Sequence, residues 1–492
     1  MRVVVFGVAR EGLNCYFDYE KEHTIIAFAD NNEKKQGEKI LGIEIVKPDK
    51  LHELSFDKIF VTSKIWYGEI RKQLKELGID EKKIELYESR TVTEKTLDYL
   101  VDSNCTYNKE MFECKWQKLK STYEKINIYA LIADAIGEII PRFLWIRDDI
   151  KESKSLNVFI PVTDGTLRFA NKEVMKQIQK QNYLVDAEEI PFWIYVIYKH
   201  SEEINISEVD KYRYRNDAPI YKIDKDTVEF DVKELEREQQ QLKEIGVSRP
   251  YVCFLARTAK YNLNTIGKDF DYDYRNMNFL DYQRTIDYLK KSGISSVRMG
   301  RSEMPILELR NCIDYAGMCA NDFGDLALIH NCQFMVSSNC GAYLMAYLFS
   351  KPILIVNMLG YSLGYGAFGY TGTELFIPQK VYSVIQGRLL SISEIMDVEH
   401  ECYIFGENYK ERGIRFIGNT QEEICEAVEE MQKRLKGTWV DTPEDQIAYE
   451  KYLELYKKMK IKAKENEKNW IGGPIPYRIA ASYLRKNMYL LE

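Results

Sequence analysis

Short apolar runs of roughly four to eight residues, each closed by a polar or glycine-bearing turn, alternate along this chain with amphipathic stretches at three-to-four spacing. That alternation predicts parallel strands joined by helices. The first 90 residues carry it in miniature. "RVVVFG" reads as a buried strand, residues 7–12 as the turn into a helix, and "TIIAFADNN" as the second strand. "ILGIEIVKP", "FDKIFVTS", a helix around "YGEIRKQLKELGI" and "KIELYES" follow. Residues 91–124 are charged and helical, as a connector would be.

A second unit is predicted over 125–247. "INIYALI" is a strand, "ADAIGEII" a loop carrying Gly137 and Glu138, and "PRFLWIRDDI" a helix with Pro141 in its first turn. "LNVFIPVTDG" is a strand closed by Asp164 and Gly165. A third unit spans 248–437. Its strand "PYVCFLART" ends at Arg257, "YRN" at 274–276 follows, and "SVRMGR" ends at Arg298, Gly300 and Arg301. Between them "FLDYQRTIDYLKKSGI" should pack Leu280, Ile286, Tyr288 and Leu289 on the sheet as a crossover helix. "CQFMVSSNCGAYLMAYLFSKPILIVN" reads as strand, polar loop at 337–341, helix, and a strand reaching Asn357. Residues 438–492 form a helical tail, with Tyr449, Tyr452, Leu453 and Tyr456 on one stripe, expected to fold back on the first of these two larger halves.

Composition narrows the classes. With 492 residues there is core for several domains, and a net charge of −7 gives no basic footprint for nucleic acid. No apolar run reaches the roughly 18 residues that a bilayer requires, and the opening strand does not read as a signal peptide. Ten scattered cysteines without a CxxC pair suit reduced core residues, so a cytoplasmic location is expected. The lysine-rich run after residue 456 reads as a solvated face, with peripheral membrane contact as the alternative. Five histidines without ligand spacing predict no metal site; Asp271-Tyr272-Asp273 is an isolated DxD. Neither a GxSxG elbow nor a P-loop is present, since Leu13-Asn14 follows Gly7 and Gly12 where Lys-Ser/Thr would be needed.

The candidate chemistry lies where strands end. A polar glycine turn feeding a helix leaves backbone N–H groups at the positive end of the helix dipole, and arginines on adjacent strand ends can hold a diphosphate. Arg257, Arg275, Asn276, Arg298, Gly300, Ser338, Asn339, Gly341 and Asn357 are the residues expected around such a diphosphate, and the resemblance given below implies that they bind a donor. For Arg257 and Arg298 the alternative is a structural ion pair, and for Ser338 and Asn339 a helix cap. Glu138 and Asp164 are the candidates for the base that takes an acceptor proton, and Arg257 joins them as a catalytic residue. Asp322 and Asp325 suit a helix start as well as catalysis. The Gly/Tyr-rich stretch at 360–370 suits a lid or an ordinary loop.

Two resemblances add to this reading. The first 90 residues resemble the Rossmann-like domain at the front of many bacterial sugar-modifying proteins, in which "FGxGxxG … FxDN" recurs. Gly7, Gly12 and Asp30 would then be nucleotide-binding residues, although Ala9 stands where the middle glycine lets backbone approach a pyrophosphate. From about residue 126 onward the chain resembles a bacterial glycosyltransferase family of surface-polysaccharide and glycan gene clusters. "YRN", "VRMG", "MVSSNCG", "KPILIVN", "ELFIPQKVYS", "GRLLSISEI" and "YRIAASYLRKNMYLL" carry that likeness. More distantly it is similar to GT-B transferases of the heptosyl and O-fucosyl types.

The resemblance implies an α/β fold with three Rossmann-like units, the last two forming a GT-B-like pair of acceptor half and donor half. It also implies a metal-independent glycosyltransferase that needs no cofactor beyond its nucleotide-sugar donor and acts on a glycan, lipid-linked or protein-linked saccharide acceptor. Where relatives often place His or Asp after the first loop glycine, this chain has Glu138. Rival expectations are an NAD-dependent nucleotide-sugar epimerase or reductase driven by the front domain, and a non-catalytic nucleotide-sugar-binding protein.

Overall fold

The structure is a computed structural model that describes residues 1–8, 10–63, 66–87, 109–133, 135–146, 154–162, 170–181, 183–185, 189–207, 228–258, 273–301, 304–359, 371–401, 406–465 and 477–492. It is an α/β protein built on parallel sheets, and it divides into two compact units: Met1–Ile126 with Val185–Ile206, and Asn127–Leu184 with Ser207–Glu492.

In the first unit, strand Arg2–Phe6 lies between Thr24–Ala29 and Lys58–Val61, all parallel. Ile43–Val46 and Ile84–Leu86 extend the sheet on either side, and the short Lys39–Ile40 pairs antiparallel at one edge. The period of two in "VVVF" decides its packing. Val4 and Phe6 enter one core while Val3 and Val5 enter the core on the opposite face. Helix Arg10–Tyr19 follows the first strand at once, as the sequence predicts. Helix Lys109–Thr122, within the expected connector, buries Phe112 and Trp116, and belongs to this unit with helix Ile190–Lys199.

The second unit holds a small sheet, a large parallel sheet and a short antiparallel one, Lys380–Ser383 between Arg388–Leu389 and Ile414–Ile417. In the small sheet, Ser155–Val162 pairs with Tyr183–Leu184 on one side and neighbours Lys125–Ile132 on the other. The larger has seven strands, all parallel, in the order Cys312–Ile313, Ser295–Arg298, Tyr251–Leu255, Met335–Ser338, Ile353–Met358, Leu375–Pro378, Arg478–Ile479. The chain therefore builds outward from Tyr251–Leu255 in one direction, then returns to build outward in the other. The point where that direction reverses lies between Tyr251–Leu255 and Met335–Ser338. Open parallel sheets bind ligands outside the carboxyl ends of their strands at this place.

Three local expectations need correction. Gly137 and Glu138 are not in a loop: helix Ile136–Ile146 already includes them, and Pro141 lies inside it. Proline has no N–H, so the rung to the carbonyl four residues back is missing, yet the strongly apolar face holds the helix together; Ile139, Ile140, Phe143 and Leu144 are all buried. The crossover segment starts as a 3-10 turn, Phe279–Tyr282, before helix Gln283–Lys291. That turn exposes Leu280 and buries Phe279 and Tyr282 instead. The third concerns the tail, whose described strand joins the sheet of the second half where packing on the first was expected. Arg478–Ile479 pairs with Leu375–Pro378 as the edge strand of the seven-stranded sheet. Buried Glu430 then accepts from the N–H groups of Ala481 and Ser482 and from the Ser482 hydroxyl, which secures the short helix that follows.

Candidate functional site

The reversal point of the large sheet gathers much of what the sequence singles out. Arg257 leaves the end of its strand with its backbone N–H donating to Ser338 Oγ at 2.8 Å, which ties the two central strand ends together. Its guanidinium donates to Asn276 Oδ1 at 2.5 Å. Arg275, at the end of the 3-10 turn Asp273–Arg275, donates to the Asn339 carbonyl at 3.2 Å. Asn339 in turn donates to the Leu359 carbonyl at 3.4 Å. The Arg275 guanidinium and the Arg257 backbone N–H thus meet the polar turn between Ser338 and Gly341, while the Arg257 guanidinium is held by Asn276.

The element that opens at Gly341 is a 3-10 helix, Gly341–Phe349, not the α-helix expected. Residues 343–349 are all buried, so packing on every side sets its winding instead of one apolar stripe. Its N-cap is Cys340, which makes no side-chain cap, so Ser338 and Asn339 are not capping residues here. Burial pushes the Tyr343 phenol up, with Cys340 adding to the push and the nearby Arg275 acting against it.

Helix Ile136–Ile146 meets the same turn at Gly137. A Cβ placed on Gly137 would lie 2.8 Å from the Gly341 Cα, and one on Gly341 would lie 2.6 Å from the Gly137 Cα. Neither position has room for a side chain, and the two backbones touch. The next residue, Glu138, is part-exposed and ion-paired with buried Arg142 one turn on.

Other expected residues stand elsewhere. The Arg298 guanidinium is buried against Asp314 at 2.7 Å and donates to the Pro305 carbonyl at 3.1 Å, with the Phe279 ring beneath it. It takes the structural role that the sequence left open. Gly300 packs against Met304 and Ala316. Asp322 pairs with Arg301 at 3.0 Å, and Asp325 is buried; the cap of their helix is Asn321. Asn357, by contrast, lines the cleft described below; in the left-handed region at φ 49°, it exchanges two hydrogen bonds of 2.6 Å with Asn419. That latch joins the end of strand Ile353–Met358 to the start of helix Gln421–Leu435. Asp164, Asp271, Tyr272 and residues 360–370 lie outside the described residues.

In the first unit, Gly7 takes φ 108°, and a Cβ on Gly12 would lie 2.0 Å from the Gly7 carbonyl oxygen, so helix and turn meet without a side chain between them. Asp30 accepts from the N–H of Val8 at 3.0 Å and from that of Asn32 at 2.9 Å. One amide of the expected nucleotide loop is therefore committed to the protein's own carboxylate.

A cleft of about 720 Å³ opens beside the Arg257–Asn276 contact. Tyr274, Asn276, Gln379, Tyr409, Arg415 and Phe416 are among its walls. Apart from Tyr274 and Asn276, sequence reasoning did not single these residues out. They come from segments up to some 140 residues apart: the antiparallel pairing of Lys380–Ser383 with Ile414–Ile417 brings Gln379 to Phe416, and Tyr274 joins them through the Gln379 side chain and the Tyr409 and Phe416 rings. Among the described residues, no cluster of three His, Cys, Asp or Glu is arranged to hold a metal ion, and no helix is long and apolar enough to cross a membrane.

The family model described as C2185-like, N-terminal, matches residues 1–85. Among curated proteins, no sequence matches significantly. Similar solved structures include a glycosyl transferase family 9 protein from Veillonella parvula, at 10% identity and a TM-score of 0.35 over 63% of this chain and 98% of that one. E. coli ADP-heptose lps heptosyltransferase II has 10% identity and a TM-score of 0.38 over 63% of this chain and 99% of its own. The UDP-GlcNAc 2-epimerase of Methanocaldococcus jannaschii has 8% identity and a TM-score of 0.24 over 88% and 99%. Likenesses this distant carry no inference to activity.

Proposed function

We propose that this protein is a glycosyltransferase that moves a sugar from a nucleotide-sugar to a saccharide acceptor of a bacterial glycan or surface polysaccharide, without needing a metal. The single observation that carries the reading is the convergence of Arg257 and Arg275 on the turn between Ser338 and Gly341, at the reversal point of a parallel sheet. In glycosyl transfer the acceptor oxygen bonds to the anomeric carbon as the bond to the diphosphate breaks. Negative charge grows on the departing diphosphate, and fixed guanidinium and amide donors stabilise it without reorganising. Glu138 is the proposed base: it takes the acceptor's proton, and the Gly137–Gly341 contact holds it beside the turn. Within a GT-B-like arrangement the seven-stranded sheet is the donor half and the smaller sheet belongs to the acceptor half.

The test is release of nucleoside diphosphate from a panel of UDP-, GDP-, CDP- and dTDP-sugars with mixed saccharide acceptors, read together with NADH absorbance. Turnover is expected with at least one donor. Arg275→Ala should lower kcat/KM about 100-fold, the typical effect of losing one transition-state donor. Glu138→Gln should lower kcat by about 100-fold or more. A change at the NADH band would favour the epimerase or reductase, and thermal stabilisation without turnover would favour a binding protein.

A further inference from the structure

We propose that the cleft beside Asn276 is the seat of the donor's nucleoside, with Gln379 as the residue that reads an N–H on the edge of the base. The inference rests on the diphosphate reading above, but its first two observations are independent of the arginines.

The first is an orphaned acceptor. Gln379 follows strand Leu375–Pro378, lines the cleft and is 5% exposed. Its Nε2 donates to the Tyr274 carbonyl at 2.9 Å, and a carbonyl cannot donate in return, so the orientation of the amide is fixed. Oε1 then has no hydrogen-bond partner among the described residues, although it is buried. A buried amide oxygen held in place by its own nitrogen, on the wall of a cavity, calls for a ligand N–H or O–H.

The second is the aromatic wall. Tyr274 and Phe416 stack with ring centroids 5.1 Å apart and planes at 24°. Tyr409 meets them edge-on at 5.5 and 4.9 Å. The cleft volume falls within the range of roughly 300–1,000 Å³ that small-molecule pockets occupy. Flat aromatic walls with one fixed acceptor suit a nucleobase, which offers a π-face and N–H groups on its edge.

The third is continuity. The segment 274–276 serves both places: Arg275 reaches the Asn339 turn, while Tyr274 and Asn276 line the cleft. A ligand with phosphates on the arginine side therefore has its nucleoside one residue's reach away.

Calorimetry on the full chain with pyrophosphate and with UDP, GDP, ADP, CDP and dTDP tests this. At least one nucleoside diphosphate should bind 10-fold or more tightly than pyrophosphate. Gln379→Met should remove most of that advantage while leaving pyrophosphate affinity unchanged. Phe416→Leu, which keeps an apolar wall but removes the ring, should do the same and serves should the first variant not fold. If no nucleoside diphosphate binds more tightly than pyrophosphate, or if the advantage survives in the folded variants, the cleft is not the nucleoside seat. The diphosphate reading fails separately, if pyrophosphate does not bind or binds equally well to Arg275→Ala.

Discussion

Three arginines, two at strand ends and one at the end of a 3-10 turn, are given different tasks by their environments. Arg298 is sealed against Asp314, and removing it would strand a buried carboxylate. Arg257 and Arg275 donate instead to the amide oxygen of Asn276 and the carbonyl of Asn339, at the turn where an anion would sit. The same contrast applies to carboxylates. Burial pushes the Asp325 carboxyl up to about 7, with Arg301 pulling against it and Asp322 and Glu238 adding to the push. Its folded value exceeds the ordinary value of about 3.9, so the fold favours the protonated form. Any stability it contributes is complete below about pH 4 and lost as pH rises through about 7. Asp325→Asn should remove that slope. Urea midpoints of the variant, measured relative to the natural chain, should rise from pH 4 to 7 and then level. A constant difference across that range would show that Asp325 titrates normally.

At the scale of elements, the contact between helix Ile136–Ile146 and the 3-10 helix Gly341–Phe349 is the joint that brings Glu138 to the turn. Gly137→Ala should force the two backbones apart and cost about 1–3 kcal/mol in chemical denaturation. A variant as stable as the natural chain would mean that the joint is looser than the geometry indicates. The elements themselves were largely legible. Strands ending at Phe6, Leu255, Arg298 and Ser338 announce themselves as apolar runs, and the Thr420–Glu423 capping box can be read directly from "NTQEE". What could not be read was partnership across distance. Nothing near Arg298 names Asp314 as its counterion, and nothing near "IPQK" brings Gln379 against Tyr274, 105 residues earlier. Nor does local pattern reveal that "YRI" at 477–479 supplies a seventh strand, because two residues of pairing leave no periodicity.

Among the described residues, each unit has a sheet whose strand order reverses at a place that could receive a nucleotide. In the front unit Ala9 replaces the glycine that would admit a pyrophosphate, and Asp30 accepts from the Val8 N–H of that same loop. In the larger unit the Arg275 guanidinium and the Arg257 backbone N–H meet the turn, and a cleft of nucleoside size lies beside the segment that carries Arg275. The proposal therefore assigns donor binding to the larger unit and leaves the front unit's Gly7, Gly12 and Asp30 with a structural loop. The most direct test is a crystal structure of the full chain with the tightest-binding nucleoside diphosphate. The expected result is density for the diphosphate between the Arg275 guanidinium and the turn before Gly341. Density at residues 7–12 instead, with the turn before Gly341 empty, would contradict the account.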